Sequence, residues 1–310
     1  MRSPDMTKRS VSEALFWASS YLKTHEQEAE IARILMCHHT GWSRAKLYSE
    51  SRAHLAADVD EAFSRDVLRA STGVPVQHIT CREMFAGRHY QVNRSVLIPR
   101  PETEELVEAI FTALSTEQST MLSTIGDNGF PVADIGTGSG ILAITLALDL
   151  PERFKTWTGK DVSVCVTATD ISEEALFVAK QNAHTHQAAV TFLAGSFLTP
   201  LKESGIRPRL LVSNPPYIPD QDKAVMKENV TGHEPHLALF AGEDGLEAYR
   251  QIIRELPDVL HPKGTLLALE IGYNQGDAVS DLLKETLINS SPEVISDING
   301  NERIVIAWLR

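Results

Sequence analysis

Apolar and polar residues in the first part of the chain alternate with the spacing of helices. In the run "SEALFWASSYL" the apolar positions recur every three or four residues, which places them on one helical face. Ser10, with Glu13 three residues later, forms a capping-box pattern that indicates a helix start. We therefore predict a small helical bundle over residues 1–75, which carries no catalytic constellation of its own.

The pattern changes over residues 76–98. Two short runs flank an Ala-Gly pair at 86–87, an arrangement typical of a β-hairpin. We predict that this segment connects the bundle to the rest of the chain. A helix with acidic residues in its first turn is expected to start near Thr103.

From residue 131 onward, strand-like and helix-like patterns alternate. Strands are predicted in "PVADIG", "VSVCVTATD", "AVTFLAG", "RLLVSN" and "GTLLALEIG", with helices between most of them. Such alternation is typical of a mostly parallel sheet covered by helices. An Asn-Gly turn signal in the tail predicts an antiparallel hairpin that closes the sheet. Residues 99–310 are thus expected to form an α/β domain, with loops at 115–130 and 152–162.

Composition and charge narrow the possible partners. The 310 residues, 43% hydrophobic and 23% charged, fit a soluble globular protein of about two domains. The net charge of -12 argues against duplex DNA as the main partner, because DNA-binding proteins usually present a basic face. No apolar run reaches the ~20 residues that a membrane helix needs. We expect a cytoplasmic monomer that binds neither membrane nor DNA.

The cysteine and histidine residues give no sign of a metal site. Cys37, Cys81 and Cys165 are far apart and form no CxxC pair, which favours a reducing compartment without disulfides. The His pairs at 38–39 and 184/186 have no carboxylate or thiolate at ligand spacing. We therefore predict no metal.

A glycine-rich segment joins the first strand of the α/β domain to its first helix. "ADIGTGSGILAI" places Gly136, Gly138 and Gly140 at this turn. Glycines there let the backbone approach a ligand, and the helix that follows presents free N–H groups. Such loops serve nicotinamide, flavin and S-adenosylmethionine proteins alike, and a tight turn without a ligand is the structural alternative.

An acidic residue ends the second strand. Asp170 stands where a carboxylate can accept hydrogen bonds from both ribose hydroxyls of a nucleotide. It lies 30 residues after Gly140, longer than the usual gap of about 20, and we attribute the excess to an insertion at 152–162. Alternatively, Asp170 caps the next helix, a role that Ser172 could fill equally well.

The fourth strand runs into the rigid corner "NPPY", residues 214–217. Ligands of doubly wound sheets bind outside the carboxyl ends of the strands, so this corner, Asp170 and the glycines should face one crevice. The Asn214 side-chain carbonyl and the Pro215 backbone carbonyl can accept both hydrogens of a planar NH₂ group, and Tyr217 can stack on it. Two fixed acceptors would stabilise positive charge that grows on the nitrogen as it takes a methyl group. Alternatively, the prolines simply end the strand.

Several longer motifs carry a family resemblance. The segments "LIPRPETE", "DIGTGSGILAI", "VSNPPYIP", "EPHLALFAGEDGL" and "INGNERIV" occur in this order, and the similarity covers nearly the whole chain. In these motifs the chain resembles the HemK/PrmC protein-(glutamine-N5) methyltransferases, which methylate the glutamine of the Gly-Gly-Gln motif in peptide chain release factors. The resemblance implies a Rossmann-like class I methyltransferase domain with a seven-stranded sheet, S-adenosylmethionine as donor and S-adenosylhomocysteine as product. It also implies release factors as the protein partner, with the helical domain over residues 1–75 helping to recognise this substrate.

The resemblance also implies roles for individual residues. Asn214, Pro215, Pro216 and Tyr217 would bind the glutamine amide, and Asn214 would also reach the cofactor. Arg100 and Glu102 would lie at the cofactor edge or the substrate face, or else pair at the helix start. The cofactor would be bound by Gly136, Thr137, Gly138, Ser139, Gly140, Asp170 and Phe197.

One position departs from the family pattern. Ser196 stands beside Phe197 where the family often has an acid that meets the adenine amino group. Serine can still accept a hydrogen bond, so the departure concerns cofactor affinity rather than reaction type.

Three other functions remain open from the sequence. An adenine-N6 methyltransferase of nucleic acid would also use an Asn-Pro-Pro-Tyr corner, but the acidic net charge speaks against it. A glutamine methyltransferase of a ribosomal protein is close in sequence to the release-factor enzymes. A binding module on the same fold would be expected to lose the asparagine or the glycines, and both are present.

Overall fold

The computed structural model describes residues 9–116, 129–224, 232–288 and 290–310. By backbone contacts the chain divides into two compact units. Among the described residues, the first contains 9–82 and 232–233, and the second contains those from 83 onward except these two.

The first unit is a helical bundle, as predicted. Its first helix begins with the expected capping box, in which the Ser10 hydroxyl accepts from the Glu13 N–H and the Glu13 carboxylate accepts from the Ser10 N–H. Leu22, Leu35 and Phe63 are completely buried and form its core with other apolar side chains. The helices are α1 (Val11–Thr24), α2 (Glu30–Thr40), α3 (Arg44–Ser49), α4 (Ala57–Ser71) and α5 (Val76–Thr80).

The segment 76–98 is only partly a hairpin. The predicted hairpin forms between β1 (Arg82–Phe85) and β2 (Arg88–Gln91), with a turn at Ala86 and Gly87, both at positive φ. The first residues of the predicted hairpin segment are helical instead. They form α5, which starts after Pro75, whose carbonyl accepts from the N–H groups of the first turn.

The second unit contains the predicted α/β sheet. Within the described residues this sheet has seven strands in the order β5-β4-β3-β6-β7-β9-β8. They are parallel except for β9, which is antiparallel to β7 and β8. The fold class and the closing hairpin are therefore confirmed. The strands are β3 (Phe130–Ile135), β4 (Val164–Asp170), β5 (Val190–Ala194), β6 (Leu210–Ser213), β7 (Thr265–Glu270), β8 (Glu293–Ser296) and β9 (Glu302–Leu309). The helices are α6 (Glu102–Thr116), α7 (Ile141–Thr158), α8 (Glu173–His186), α9 (Thr199–Glu203), α10 (Glu247–Val259) and α11 (Gly276–Thr286).

The loop predicted at 152–162 is wrong over most of its length. Helix α7 passes through Pro151 and continues to Thr158. Proline usually breaks a helix, but here burial of the next turn outweighs its cost. Phe154 is 2% exposed and its ring lies 5.0 Å from that of Phe130. The long gap before Asp170 therefore reflects a longer helix rather than an inserted loop.

The loop predicted at 115–130 is only partly described. Its first two residues belong to the last turn of α6, and residues 117–128 lie outside the described part of the chain. In the described ranges, no helix combines the length and apolar character that crossing a bilayer requires.

The strand order determines where the site lies. After β3 the chain adds β4 and β5 on one side, and then returns to add β6 on the other side of β3. Loops at the carboxyl ends of β3 and β6 diverge at this switch point and leave a crevice between them.

Candidate active site

The crevice contains a cavity of about 360 Å³. It is bordered by loops that follow β3, β4, β5 and β6, together with the segment that precedes α6. Most of the residues predicted for the site lie along it. These are Gly136, Thr137, Gly138, Ser139, Asp170, Phe197, Asn214, Pro215 and Pro216.

The glycine loop uses its glycines for two different reasons. Gly136 and Gly138 have φ of 70° and 55°, and a Cβ on either would meet no atom within 4 Å. Glycine is thus needed at these two positions for the left-handed backbone and not for lack of space, and the loop stays open to the cavity. Gly140, at φ 84°, does not border the cavity; a Cβ there would lie 3.1 Å from the Ala179 Cβ. It allows the start of α7 to pack against α8.

A buried carboxylate beneath the loop was not among the predicted site residues. Asp134 accepts hydrogen bonds from the Thr137 hydroxyl at 2.6 Å and from the Ala143 N–H at 3.1 Å. Burial raises the pKa of Asp134 to about 7. Its Oδ1 is buried and has no hydrogen-bond partner in the described ranges. Asp134 thus ties the glycine loop to the first turn of α7.

Asp170 lies at the carboxyl end of β4 and faces the glycine loop. It accepts from the Gly138 N–H at 2.8 Å and from the Ser172 N–H at 2.9 Å, and burial raises its pKa. Ser172, not Asp170, caps α8, because its hydroxyl accepts from the Ala175 N–H. A carboxylate has about four lone-pair positions, so Asp170 retains acceptor capacity toward the cavity.

Phe197 forms an apolar wall of the cavity. It packs against the core beneath α10 and has φ of 45°, a conformation that costs a non-glycine residue free energy. Its carbonyl accepts from the Thr169 hydroxyl at 3.2 Å, which helps to hold this backbone in place. Ser196 beside it is exposed and also borders the cavity.

Replacing Ser196 by aspartate should tighten cofactor binding. An acid here would accept from the adenine amino group more strongly than a hydroxyl, because hydrogen bonds to charged groups are stronger. Since the position is exposed, we expect the Kd of S-adenosylmethionine to fall by only about threefold to tenfold. Calorimetric titration would measure it. Ser204→Asp, which adds the same charge at an exposed site after α9, should leave the Kd unchanged.

The Asn-Pro-Pro-Tyr corner is only partly open to the cavity. Asn214, Pro215 and Pro216 border it, whereas Tyr217 lies behind them against the apolar core. Burial raises the pKa of Tyr217 to about 12, and its carbonyl accepts from the Gln275 side chain at 3.0 Å. Stacking of Tyr217 on a substrate amide stays a prediction.

Two residues that the sequence did not indicate as site residues hold the Asn214 side chain. Asn214 Nδ2 donates to the Thr103 hydroxyl at 3.2 Å, and that hydroxyl donates to Glu270 Oε2 at 2.7 Å. Thr103 and Glu270 are each 1% exposed. With Nδ2 bound to Thr103, Oδ1 of Asn214 is the amide atom available to the cavity.

Arg100 borders the cavity and binds a residue far along the chain. Its guanidinium lies 2.6 Å from Glu234 Oε1, while the Ile98 N–H donates to Glu234 Oε2 at 3.1 Å. The Glu234 side chain is 2% exposed, and Arg100 is 34% exposed. Arg100, which borders the cavity, therefore forms an ion pair with the buried Glu234 behind the cavity wall. Glu102, which was expected beside it, is the first residue of α6.

Arg100→Met should destabilise the second unit. The change leaves the Glu234 carboxylate buried without its cation, which costs several kcal/mol at a fully buried site. Because Arg100 is one-third exposed, we expect a loss of about 2 kcal/mol in the free energy of unfolding. Urea denaturation would measure it. Lys202→Met, which breaks an exposed pair with Asp258, is the control and should have almost no effect. Equal midpoints for the two variants would contradict the prediction.

Family models match both parts of the chain. Residues 13–80 match the model described as "PrmC N-terminal domain", and residues 113–238 match the "Methyltransferase small domain".

Full-length relatives decide the family. The chain is 40% identical to the release factor glutamine methyltransferase of Bacillus anthracis over 96% of its own length and 98% of the relative. It is also 40% identical to the enzyme of the same name from Bacillus subtilis, over 97% and 98% of the two chains. The chain belongs to the release factor glutamine methyltransferase family. The predicted family, enzyme class and methyl donor are thereby confirmed.

A solved methyltransferase structure from another bacterium is also similar to this chain. The release-factor-specific protein-(glutamine-N5) methyltransferase from Alicyclobacillus acidocaldarius is 26% identical, with a TM-score of 0.40 over 71% of this chain and 99% of that one. The family assignment rests on the full-length sequence relatives.

The residues of the cavity fit S-adenosylmethionine. The glycine loop offers backbone at close approach, Asp170 retains acceptor capacity, and Phe197 provides an apolar surface. A nucleoside donor needs hydrogen-bond acceptors for its ribose and an apolar surface for its base. The apolar side chains of Ile171 and Leu237 add to this surface.

Proposed function

We propose that the protein transfers a methyl group, within this cavity, from S-adenosylmethionine to the side-chain amide nitrogen of the glutamine in a release-factor Gly-Gly-Gln motif. Family membership confirms the release factor glutamine methyltransferase activity that the sequence predicts. The proposal adds the residues that perform it. The main observation behind it is that Asn214 Nδ2 is hydrogen-bonded to Thr103, so that Asn214 Oδ1 is the atom available to accept hydrogen bonds in the cavity.

The protein binds the donor with residues from the first half of the sheet. Gly136, Thr137, Gly138 and Ser139 are proposed to surround its methionine portion, and Asp170 to accept from its ribose. When bound, S-adenosylmethionine supplies an electrophilic methyl group on a sulfonium. Gly140 shapes the loop without bordering the cavity.

The glutamine amide is proposed to bind at residues 214–216. Asn214 Oδ1 and the Pro215 carbonyl accept its two hydrogens and orient the nitrogen. An amide nitrogen is a poor nucleophile because its lone pair is delocalised, so catalysis depends on position and on charge stabilisation. Fixed acceptors provide both, since they favour positive charge growing on the nitrogen.

The partner and compartment follow from the same proposal. We place the reaction in the cytoplasm, on a release factor that a monomer of this protein contacts, with no membrane or DNA involved. The net charge of -12 supports a protein partner over duplex DNA.

The experiment is methyl transfer from labelled S-adenosylmethionine to purified release factor. Label should enter the native factor and vanish when the Gly-Gly-Gln glutamine is changed to alanine. A purified ribosomal protein fraction and duplex DNA serve as parallel substrates. Label that persists on the altered factor, or enters either alternative substrate instead, would overturn the proposal.

A further inference from the structure

The corner's asparagine depends on a buried chain of hydrogen bonds that the proposed reaction does not itself use. This chain runs from Glu270, the last residue of β7, through Thr103 in the first turn of α6, to Asn214 after β6. Its members come from three separate elements. Thr103 and Glu270 lie 167 positions apart, so their contact is not a local feature of either element.

The chemistry of the three groups determines the direction of each bond. An ionised carboxylate can only accept, so the Thr103 hydroxyl must donate its one hydrogen to Glu270. The hydroxyl oxygen then has only acceptor capacity left. It can therefore bind the NH₂ side of the Asn214 amide but not the carbonyl side, which excludes the flipped orientation.

We propose that Glu270 and Thr103 are positioning residues that fix the Asn214 amide with its Oδ1 toward the substrate nitrogen. This inference rests on the proposed role of Asn214 in binding the glutamine amide. A flipped Asn214 would present NH₂ to the NH₂ group of the substrate, donor against donor. Neither positioning residue needs to touch the substrate for this effect.

The protonation state of Glu270 controls the direction of the hydrogen bonds that link Glu270, Thr103 and Asn214. Burial raises the pKa of Glu270 to about 7, in the range where the enzyme would operate. Protonated Glu270 can donate to Thr103, which frees the Thr103 hydrogen to donate to Asn214 Oδ1 and favours the flipped amide. The carboxylate form exists above this pKa, so kcat should fall as the pH drops below about 7.

Other charged and titratable groups act on Glu270 from the elements around it. Glu102 on α6 raises its pKa and Arg303 on β9 lowers it. Two phenol groups are also close enough to interact with its charge, Tyr217 after β6 and Tyr249 on α10. The Tyr249 hydroxyl donates to the Glu270 backbone carbonyl at 3.0 Å. Both phenols stay neutral in this pH range, because burial raises their pKa values.

The first test separates positioning from binding. Thr103→Val keeps the shape but removes the hydroxyl, and we expect kcat to fall about 10- to 100-fold. The Kd of S-adenosylmethionine and the KM of the release factor should change less than about threefold. Thr103→Ser restores the hydroxyl and should recover most of kcat. Native kcat in Thr103→Val, or equal loss in the serine variant, would overturn the inference.

The second test uses pH. The native enzyme should lose kcat below about pH 7. In Thr103→Val, kcat should be low at every pH and should fall less below pH 7, because only the hydrogen bond between the Asn214 side chain and Glu270 remains. Glu270→Met lacks the acceptor at every pH, so nothing there receives the Thr103 hydrogen, and kcat should be low throughout. A native kcat that stays constant from pH 8 to pH 6 would contradict the role of Glu270.

A third readout does not depend on transfer at all. The side-chain NH₂ signal of Asn214, assigned by its loss in Asn214→Asp, reports the hydrogen bond by NMR. We expect slow exchange of one proton in the native protein and fast exchange in Thr103→Val. Identical exchange in both would overturn the inference even if the native protein fails to methylate release factors, a failure that would count against the proposed function instead.

Discussion

Asn214→Ala should reduce methyl transfer to release factor by about 100- to 1000-fold in kcat. The change removes one of the two acceptors that orient the glutamine nitrogen and stabilise its growing charge, and loss of a comparable catalytic hydrogen bond has this size of effect. The Kd of S-adenosylmethionine should change little, because the glycine loop and Asp170 remain. Transfer of labelled methyl at saturating release factor would measure kcat.

Two control variants sharpen this prediction. Asn214→Gln keeps the amide but moves it outward by one methylene, so it should remain impaired if position matters. Asn299→Ala changes an exposed asparagine in the turn between β8 and β9, outside the cavity, and should leave the rate unchanged. A native rate in Asn214→Ala would show that the corner does not carry the chemistry.

Asp170→Ala should weaken S-adenosylmethionine binding by about 10- to 100-fold. Hydrogen bonds to a charged group contribute about 1.5–3 kcal/mol, and tenfold in affinity corresponds to about 1.4 kcal/mol. The Gly138 and Ser172 N–H groups also lose their acceptor, so the loop becomes less ordered. Calorimetry would give the Kd, and kcat at saturating donor should recover part of the native value.

Asp170→Asn and Asp161→Ala are the controls for that experiment. The asparagine variant keeps one acceptor oxygen and should bind the donor with intermediate affinity. Asp161 is exposed and pairs with Lys155 at the end of α7, so its loss should not change the Kd. An unchanged Kd in Asp170→Ala would remove Asp170 from the cofactor site.

The sequence was sufficient for the features that depend on local pattern. Helical spacing and the capping box at Ser10 predicted the bundle, and the alternation of strands and helices predicted the sheet. The switch-point rule predicted that Asp170 and Asn214 face one crevice, and both border the cavity. These inferences succeed because each uses chain geometry that nearby residues or strand order determine.

The features that the sequence missed depend on distant contacts. Helix α7 persists beyond Pro151 because Phe154 packs against Phe130, a contact that local propensity does not encode. In the sequence, Glu270 is simply the end of an apolar strand. Its hydrogen bond with Thr103 exists only because the fold places these distant residues together. An acid at the end of a buried strand was the one available signal for this residue.

The spread of the site's contacts along the chain also bears on how the protein folds. The bond between Gly138 and Asp170 closes 32 positions within one strand-helix-strand unit, whereas the bond between Thr103 and Glu270 closes 167. Contacts between residues far apart in sequence form later, because closing a long loop costs conformational entropy before the contacts that offset this cost are made. During refolding, the ability to hold the donor should therefore return before the ability to use it.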